Sequence, residues 1–179
     1  MRRILDPART HGFFVRIDME NSPYTERTLE IFETLWGIGY RNAGVVIQSC
    51  LKRSAADITR VNKLGARVRL VKGAYKEPAD VAFQQKSDVD AAYISLAKIL
   101  LKDGVYPAIA THDQKMISAV NEFAKANGVA KDKYEFQMLY GIRRDMQTSL
   151  LAQGHPVRVY VPFGKEWFPY FMRRLGERP

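Results

Sequence analysis

The sequence predicts an α/β fold of the (βα)8 TIM-barrel type, built from about six βα units and therefore incomplete. Six short hydrophobic runs alternate with helical patterns at intervals of roughly 25 to 30 residues, which indicates parallel strands. Polar and aromatic side chains follow the ends of these strands, where barrel enzymes carry their chemistry. With 179 residues, 46% of them hydrophobic, the chain can bury one sizeable core, so we predict a single domain over residues 1–179.

The predicted strands are rich in Val, Ile, Phe and Tyr, and Gly, Pro, Asn or charged residues bound them. Their hydrophobicity is nearly continuous, as is typical of strands covered on both faces in a parallel sheet. In chain order they span residues 13–19, 43–49, 66–74, 106–112, 134–141 and 157–164.

The predicted helices show apolar residues at helical spacing. In the first of them Leu29, Phe32 and Leu35 share one stripe. Pro169 lies early in the last helix, where a missing N–H does least harm. The segments are TERTLEIFETLWGIG, SAADITRVNKLG, SDVDAAYISLAKILLKDG, QKMISAVNEFAKANG, GIRRDMQTSLLAQG and EWFPYFMRRLGERP.

Two architectures fit strands and helices in alternation: an open doubly wound sheet and a barrel. Doubly wound nucleotide-binding folds carry a glycine-rich turn after the first strand, whereas DMENSPY follows it here, and the sequence has no G-x-G-x-x-G or P-loop. A barrel is therefore favoured. A closed barrel needs eight strands and about 250 residues, so six units predict either a partial barrel or an open sheet with two exposed edges.

Composition limits the function classes. The net charge of +9 is compatible with nucleic acid, an anionic membrane surface, or a phosphate or carboxylate ligand. A single cysteine, Cys50, predicts no disulfide framework, and the three histidines share no ligand spacing, so we predict no metal. No apolar run approaches the roughly 20 residues of a membrane span, and the start resembles no signal peptide, so we expect a cytoplasmic protein.

Two adjacent arginines, Arg173 and Arg174, follow an aromatic run near the end of the chain. Two guanidinium groups can each make charge-assisted, potentially bidentate bonds to a carboxylate. The alternative is a basic helix end that complements the helix dipole. Glu177 could pair with either arginine at helical spacing.

Seven segments together resemble the bacterial monofunctional proline dehydrogenases, in the order in which that family carries them. The resemblance covers essentially the whole chain and implies a distorted (βα)8 barrel that binds FAD. It implies oxidation of L-proline to Δ1-pyrroline-5-carboxylate, with a quinone as electron acceptor. The six units then correspond to strands three to eight, with the first two strands missing. The segments are VRIDMENS, VVIQS, RLVKGAY, ATHD, YEFQMLYGIR, VRVYVPFG and MRRLGERP.

The resemblance also implies roles for individual residues. Asp18 and Arg69 would be catalytic, with Arg69 beside the flavin; the alternative is a buried structural pair between these two residues. Arg173 and Arg174 would hold the substrate carboxylate, while Tyr75 and Tyr160 would wall the proline pocket, with Leu139, Tyr140 and Tyr170 as weaker candidates for the same wall. The implied FAD-binding residues are Met19, Gln48, Arg69, Lys72, Gly73, Ala74, Thr111, His112 and Glu177.

Two alternatives to an active enzyme remain open at this point. The chain could be a catalytically inert partial barrel of the same family, because missing strands leave unpaired edges. It could also be a basic nucleic-acid binding domain, although its aromatics lie in strand and helix cores instead of alternating with Lys and Arg. The expected partners are L-proline and a quinone, with no nucleic acid. Peripheral contact with the inner face of the cell membrane is possible under this hypothesis, and the sequence gives no oligomeric state.

Overall fold

The computed structural model describes residues 1–165 and 167–177, with side chains described as far as Met172. Helices and strands alternate, and a short 3-10 helix (Lys131–Lys133) precedes the fifth strand. The elements are α1 (Arg2–Thr10), β1 (Val15–Ile17), α2 (Ser22–Gly37), β2 (Ala43–Gln48), α3 (Ser54–Lys63), β3 (Val68–Val71), α4 (Lys86–Asp103), β4 (Ala108–Ala110), α5 (Gln114–Ala126), β5 (Glu135–Leu139), α6 (Arg144–Ala152), β6 (Val157–Tyr160) and α7 (Trp167–Glu177).

The six strands of the described chain form one parallel sheet in sequential order, from β1 to β6. The sheet curls into a half-barrel. Doubly wound sheets reverse their strand order at a switch point, so an unbroken sequential order is the barrel pattern. The predicted fold class, an incomplete barrel of six βα units, is confirmed.

The main core lies between the convex face of the sheet and the helices. Alternate strand residues, such as Val45, Leu70 and Phe136, are fully buried there. The helical stripe predicted for α2 packs against them, since Leu29 and Phe32 have no exposed surface. Because this face buries the apolar side chains, the intervening strand residues point into the concave interior and are available for a site.

The strands are shorter than their hydrophobic runs predict. The run 66–74, for example, contributes only Val68–Val71 to the sheet, and the residues after it leave the strand as a turn. Helix α1 was not predicted, because Pro7 interrupts its pattern; the helix nevertheless forms around a buried Leu5. The connection after β3, residues 72–85, is long, and several of its residues enter the site described below.

Strands β1 and β6 lie at the two edges of the sheet. Strand β6 is largely exposed, in contrast to β2, which is buried along its whole length. Val159 and Tyr160 are 39% and 42% exposed, and Val161 just beyond the strand is 62% exposed. The concave interior is therefore open on the β6 side of the described chain.

Candidate active site

The carboxyl ends of the strands surround an open cleft of about 740 Å³. The cleft gathers residues from strands β2 to β6, from the loops after β1, β3 and β4, and from helices α4 and α7. It is lined by every predicted site residue whose side chain is described: Asp18, Met19, Gln48, Arg69, Lys72, Gly73, Ala74, Tyr75, Thr111, His112 and Tyr160.

Three predicted residues, Arg173, Arg174 and Glu177, lie outside the described side chains, so their roles stay predictions. Of the weaker candidates, Leu139 and Tyr170 line the cleft. Tyr140 is not among the residues described at the cleft wall. Its side chain is 61% exposed, and the Arg144 guanidinium lies 5.8 Å from its ring centroid.

Arg69 projects from β3 into the interior and donates from Nη2 to Oδ1 of Asp18, which follows β1. The side chain of Arg69 is only 13% exposed, whereas that of Asp18 is 58% exposed. The ring of Tyr160 lies 6.0 Å from the Arg69 guanidinium carbon. Within the described residues, Nε of Arg69 is buried without a hydrogen-bond partner. One nitrogen of the guanidinium, Nη2, is thus bonded to Asp18, while the Nε donor is buried and unpaired among the described residues.

Gln48 and Gly73 face each other at the centre of the cleft. Gln48 is 3% exposed and donates from Nε2 to the carbonyl of Glu20, at 2.8 Å. Gly73 has a φ of 110°, and a Cβ there would overlap Sγ of Cys50 and lie 3.2 Å from Oε1 of Gln48. Only glycine fits this turn, so bare backbone borders the cleft. Burial, together with the charge of Glu77, raises the pKa of Cys50 to about 11, so the thiol below the turn is a neutral packing group.

Lys72 carries its charge between two carboxylates. Its Nζ lies 2.6 Å from Oδ1 of Asp90 and 3.0 Å from Oδ2 of Asp113. Asp90 is also paired with Lys86, at 2.5 Å. Burial is the largest single influence on the pKa of Asp90 and Asp113 and raises it. The hydrogen bonds from Lys72 and from its neighbours, together with the lysine charges, outweigh burial, so both pKa values lie below the ordinary carboxyl value. The two carboxylates of this cluster are therefore ionised at neutral pH.

Thr111 and His112 connect the ends of β4 and β5. Thr111 is 6% exposed, and its hydroxyl accepts the N–H of Asp113 at 3.1 Å. His112 accepts the backbone N–H of Leu139 on Nε2 at 2.8 Å. This bond requires an unprotonated Nε2, so the ring proton of the neutral imidazole is on Nδ1. His112 thereby fixes the spacing of two adjacent strand ends at the cleft wall.

Sequence reasoning missed the acidic residues that hold this site together. Asp90 lies on α4, remote in sequence from the strand ends. Its signal was its position four residues after Lys86, but that spacing is also common on solvated helices. Asp113 and Glu20 follow predicted strands directly and were visible as rim residues, without an assigned role. Their bonds to Lys72 and to Tyr75 appear only in the structure.

The chain is similar to known proteins of the family that its sequence resembles. The family model described as "Proline dehydrogenase" matches residues 1–178. Proline dehydrogenase of Deinococcus radiodurans is 48% identical over 179 residues, which cover 99% of this chain and 58% of that protein. Proline dehydrogenase 2 of Bacillus subtilis is also 48% identical, with 100% of this chain and 59% of that protein covered. The chain thus spans under two thirds of the length of these curated relatives.

A solved structure resembles the fold closely. It is the crystal structure of proline utilization A from Bdellovibrio bacteriovorus, inactivated by N-propargylglycine. The TM-score is 0.89 at 31% sequence identity, and the match covers 97% of this chain and 21% of that one. None of the helices in the described ranges has both the length and the apolar character needed to cross a membrane. In those same ranges, no group of three or more His, Cys, Asp and Glu side chains could hold a metal ion.

Proposed function

Because the chain belongs to the proline dehydrogenase family, we propose that its cleft oxidises L-proline to Δ1-pyrroline-5-carboxylate with FAD as the cofactor. The observation that carries this proposal is the convergence of all the predicted site residues with described side chains on one cleft. The polar groups lie at the strand carboxyl ends, where barrels place their chemistry. The family assignment leaves the nucleic-acid alternative without support.

The described residues fit a flavin. A flavin ring edge has both donors and acceptors, and Gln48 keeps Oε1 and one amide hydrogen after its bond to Glu20. The bare turn at Gly73 would let the cofactor approach the backbone closely. Arg69 would favour electron-rich reduced flavin through its charge, and its buried Nε is a donor that a ring atom could accept. A bound FAD would supply the hydride acceptor.

On the substrate side, Tyr75 and Tyr160 would form the walls of the proline ring pocket. Arg173 and Arg174 would hold the carboxylate, so that the ring carbon beside nitrogen faces the cofactor. Asp18 would fix the orientation of Arg69 through their ion pair. An ammonium proton must leave proline before hydride can leave, and Asp18 is a carboxylate at the cleft that could accept it.

The electron acceptor and the cellular location are further parts of the proposal. We propose that a quinone reoxidises the flavin and that the protein works on the cytoplasmic side of the membrane, in peripheral contact with it. The open β6 side of the interior supports access by a second, larger oxidant. A test is reoxidation of proline-reduced protein by a water-soluble quinone, with and without phospholipid vesicles. Reoxidation by dioxygen alone would contradict the quinone proposal.

Flavin binding and reduction test the main proposal. The purified chain should bind added FAD, with the visible absorption band of oxidised flavin, and anaerobic L-proline should bleach this band while D-proline should not. Failure of FAD to bind would contradict the proposed cofactor. FAD binding without bleaching by L-proline would instead identify an inert partial barrel of the same family, which is the second candidate, favoured by the exposure of β6.

The carboxylate clamp is tested separately. Arg173→Ala or Arg174→Ala should raise the proline concentration for half-maximal bleaching by about a hundredfold, because each removes a charge-assisted bond worth roughly 3 kcal/mol. The affinity for FAD should not change. Arg144→Ala, which removes an arginine stacked near Tyr140 outside the cleft, is the matched control. Half-maximal concentrations equal to those of the parent would exclude the clamp.

A further inference from the structure

Glu20, in the turn between β1 and α2, forms hydrogen bonds with residues on two walls of the cleft. Its backbone carbonyl accepts the Gln48 amide at 2.8 Å, and its carboxylate accepts the Tyr75 hydroxyl at 2.5 Å. Glu20, Gln48 and Tyr75 all line the cleft. We infer that Glu20 is a positioning residue that fixes the substrate wall at Tyr75 relative to the cofactor contact at Gln48. This inference rests on the proposed function for the identity of the two ligands.

The two contacts use different parts of the residue. Gln48 bonds to the main chain, and every amino acid at position 20 would supply that carbonyl. Tyr75 bonds to the side chain, which a substitution removes. A change at Glu20 should therefore remove this bond from Tyr75 and leave the bond of Gln48 in place. This asymmetry separates a positioning role from a general loss of structure.

The segment that carries Tyr75 is anchored to the same turn a second time. Glu77 accepts the backbone N–H of Ser22 at 2.8 Å and its hydroxyl at 2.5 Å. The segment 74–85 also packs on the loop after β2, through a bridge between Leu51 and Ala82. With these anchors intact, loss of the Glu20 bond should move the Tyr75 side chain and its immediate backbone without detaching the whole segment.

The bond also fixes what Tyr75 offers a ligand. Its hydroxyl hydrogen is donated to Glu20, so towards any other group the phenol oxygen can act only as an acceptor. Tyr75 is 42% exposed, and a ring bound in the cleft would cover part of that surface. The hydrogen bond would strengthen as water is excluded, so the wall would be held most firmly when substrate is bound.

The first experiment measures proline and FAD on the same set of variants. Glu20→Ala should raise the proline concentration for half-maximal flavin bleaching about tenfold, the loss expected for one hydrogen bond to a charged group. The FAD dissociation constant should stay within about twofold, because the Gln48 contact is to the main chain. Glu20→Gln should recover most of the proline affinity, since its amide oxygen can still accept from Tyr75.

Tyr75→Phe completes a double-mutant cycle with Glu20→Ala. This variant should match Glu20→Ala, and the double variant should be no worse than either single one, because both remove the same bond. Three outcomes would overturn the inference. The two single effects could multiply in the double variant, or Glu20→Gln could be as impaired as Glu20→Ala. The third is a loss of FAD affinity equal to the loss of proline affinity.

A second measurement needs neither ligand. Chymotrypsin should cut after residue 75 about tenfold faster in Glu20→Ala and in Tyr75→Phe than in the parent, because each frees this part of the segment. Cutting after Tyr24, exposed on α2, is the internal control and should not change. An unchanged rate at residue 75 would refute the positioning role. If the parent binds no FAD, the proposed function fails, while this rate still decides the structural link.

Discussion

The concave face of the sheet has two layers, and arginine lines both. The upper layer, at the strand carboxyl ends, holds Arg69 and its partner Asp18 beside an open cleft. The lower layer, at the strand amino ends, holds Arg16, Glu135 and Arg158. In the lower layer these side chains are satisfied by protein atoms: Arg16 donates to the carbonyl of Arg67 at 2.8 Å, and Arg158 forms a two-pronged pair with Glu135.

The comparison of the two layers shows which arginines have hydrogen-bond donors that no described protein atom accepts. Burial, and then the charge of Arg69, lowers the pKa of Arg16 to about 10, which still leaves it charged at neutral pH. Its Nη1 is already bonded to main-chain carbonyls, and its guanidinium lies 5.0 Å from the ring centroid of Phe14. Arg69 differs because its charge partner is exposed and its Nε faces no acceptor among the described residues. The side chains of the lower layer are bonded to protein atoms, and the upper layer holds a donor without a partner among the described residues.

The sharpest way to break the lower layer is to add a side chain at Gly44. A Cβ at Gly44 would lie 2.6 Å from the Arg67 carbonyl oxygen, 2.7 Å from Nη1 of Arg16 and 2.8 Å from the Phe14 ring. Gly44→Val should therefore lower the free energy of unfolding by about 3 kcal/mol or more, because a backbone atom cannot move aside cheaply. Urea denaturation followed by circular dichroism measures this.

Gly37 provides the matched control. It is the last residue of α2, and nothing lies within 4 Å of a Cβ built there. Gly37→Ala should be neutral or stabilise the chain by about 0.5 kcal/mol, since alanine restricts the unfolded chain. If Gly44→Val were as stable as the parent, the lower layer would not be tightly packed and its contrast with the cleft would disappear.

The next largest effect concerns the carboxylate of the lower layer. Burial raises the pKa of Glu135, but hydrogen bonds from Arg158 and Gln137 outweigh it, so the pKa lies below the ordinary value. Glu135→Gln should cost about 2 kcal/mol at neutral pH, less than for a fully buried pair because the Arg158 side chain is 65% exposed. The charge of Glu135 stabilises the fold above the ordinary glutamate pKa, and this contribution is lost as the pH falls through the lowered one.

The stability gap between parent and Glu135→Gln should consequently shrink between neutral pH and about pH 3. Denaturation midpoints of both proteins across this range measure it. Glu30→Gln, which removes an exposed pair with Arg27, should change stability by less than about 0.5 kcal/mol at any of these pH values. A gap that widens on acidification would show that Glu135 destabilises the layer.

Much of the fold was predictable because its signals are local. Continuous hydrophobic runs separated by helical stripes predict a parallel sheet, and the sheet has the predicted number and order of strands. The residues of the cleft were also predictable, because the carboxyl ends of parallel strands meet at one edge. Arg69 and Gln48 were identified by the family resemblance, and the structure places both in the cleft.

The hydrogen bonds and ion pairs of the site could not be predicted, because they join residues far apart in sequence. The bonds of Asp90 to Lys72 and of Glu20 to Tyr75 join loops that follow different strands, and no spacing rule encodes them. The strand pattern alone does not separate the arginines of the two layers. Arg16 and Arg69 both alternate with apolar residues in short strands. Their neighbours in the structure differ: Arg16 bonds to main-chain carbonyls beside Gly44, whereas Arg69 pairs with the exposed Asp18 at an open cleft.

The smallest change in stability is expected in the upper layer. Arg69→Gln should alter the free energy of unfolding by no more than about 1 kcal/mol, because the partner Asp18 is 58% exposed and water can solvate its carboxylate once the pair is lost. The same substitution should slow bleaching of bound flavin by L-proline about a hundredfold, since a fixed charge beside the developing electron-rich ring is lost. Urea denaturation and anaerobic stopped-flow absorbance measure the two quantities. A variant that loses 2 kcal/mol or more while its bleaching rate is unchanged would place Arg69 with the structural arginines and remove the distinction between the layers.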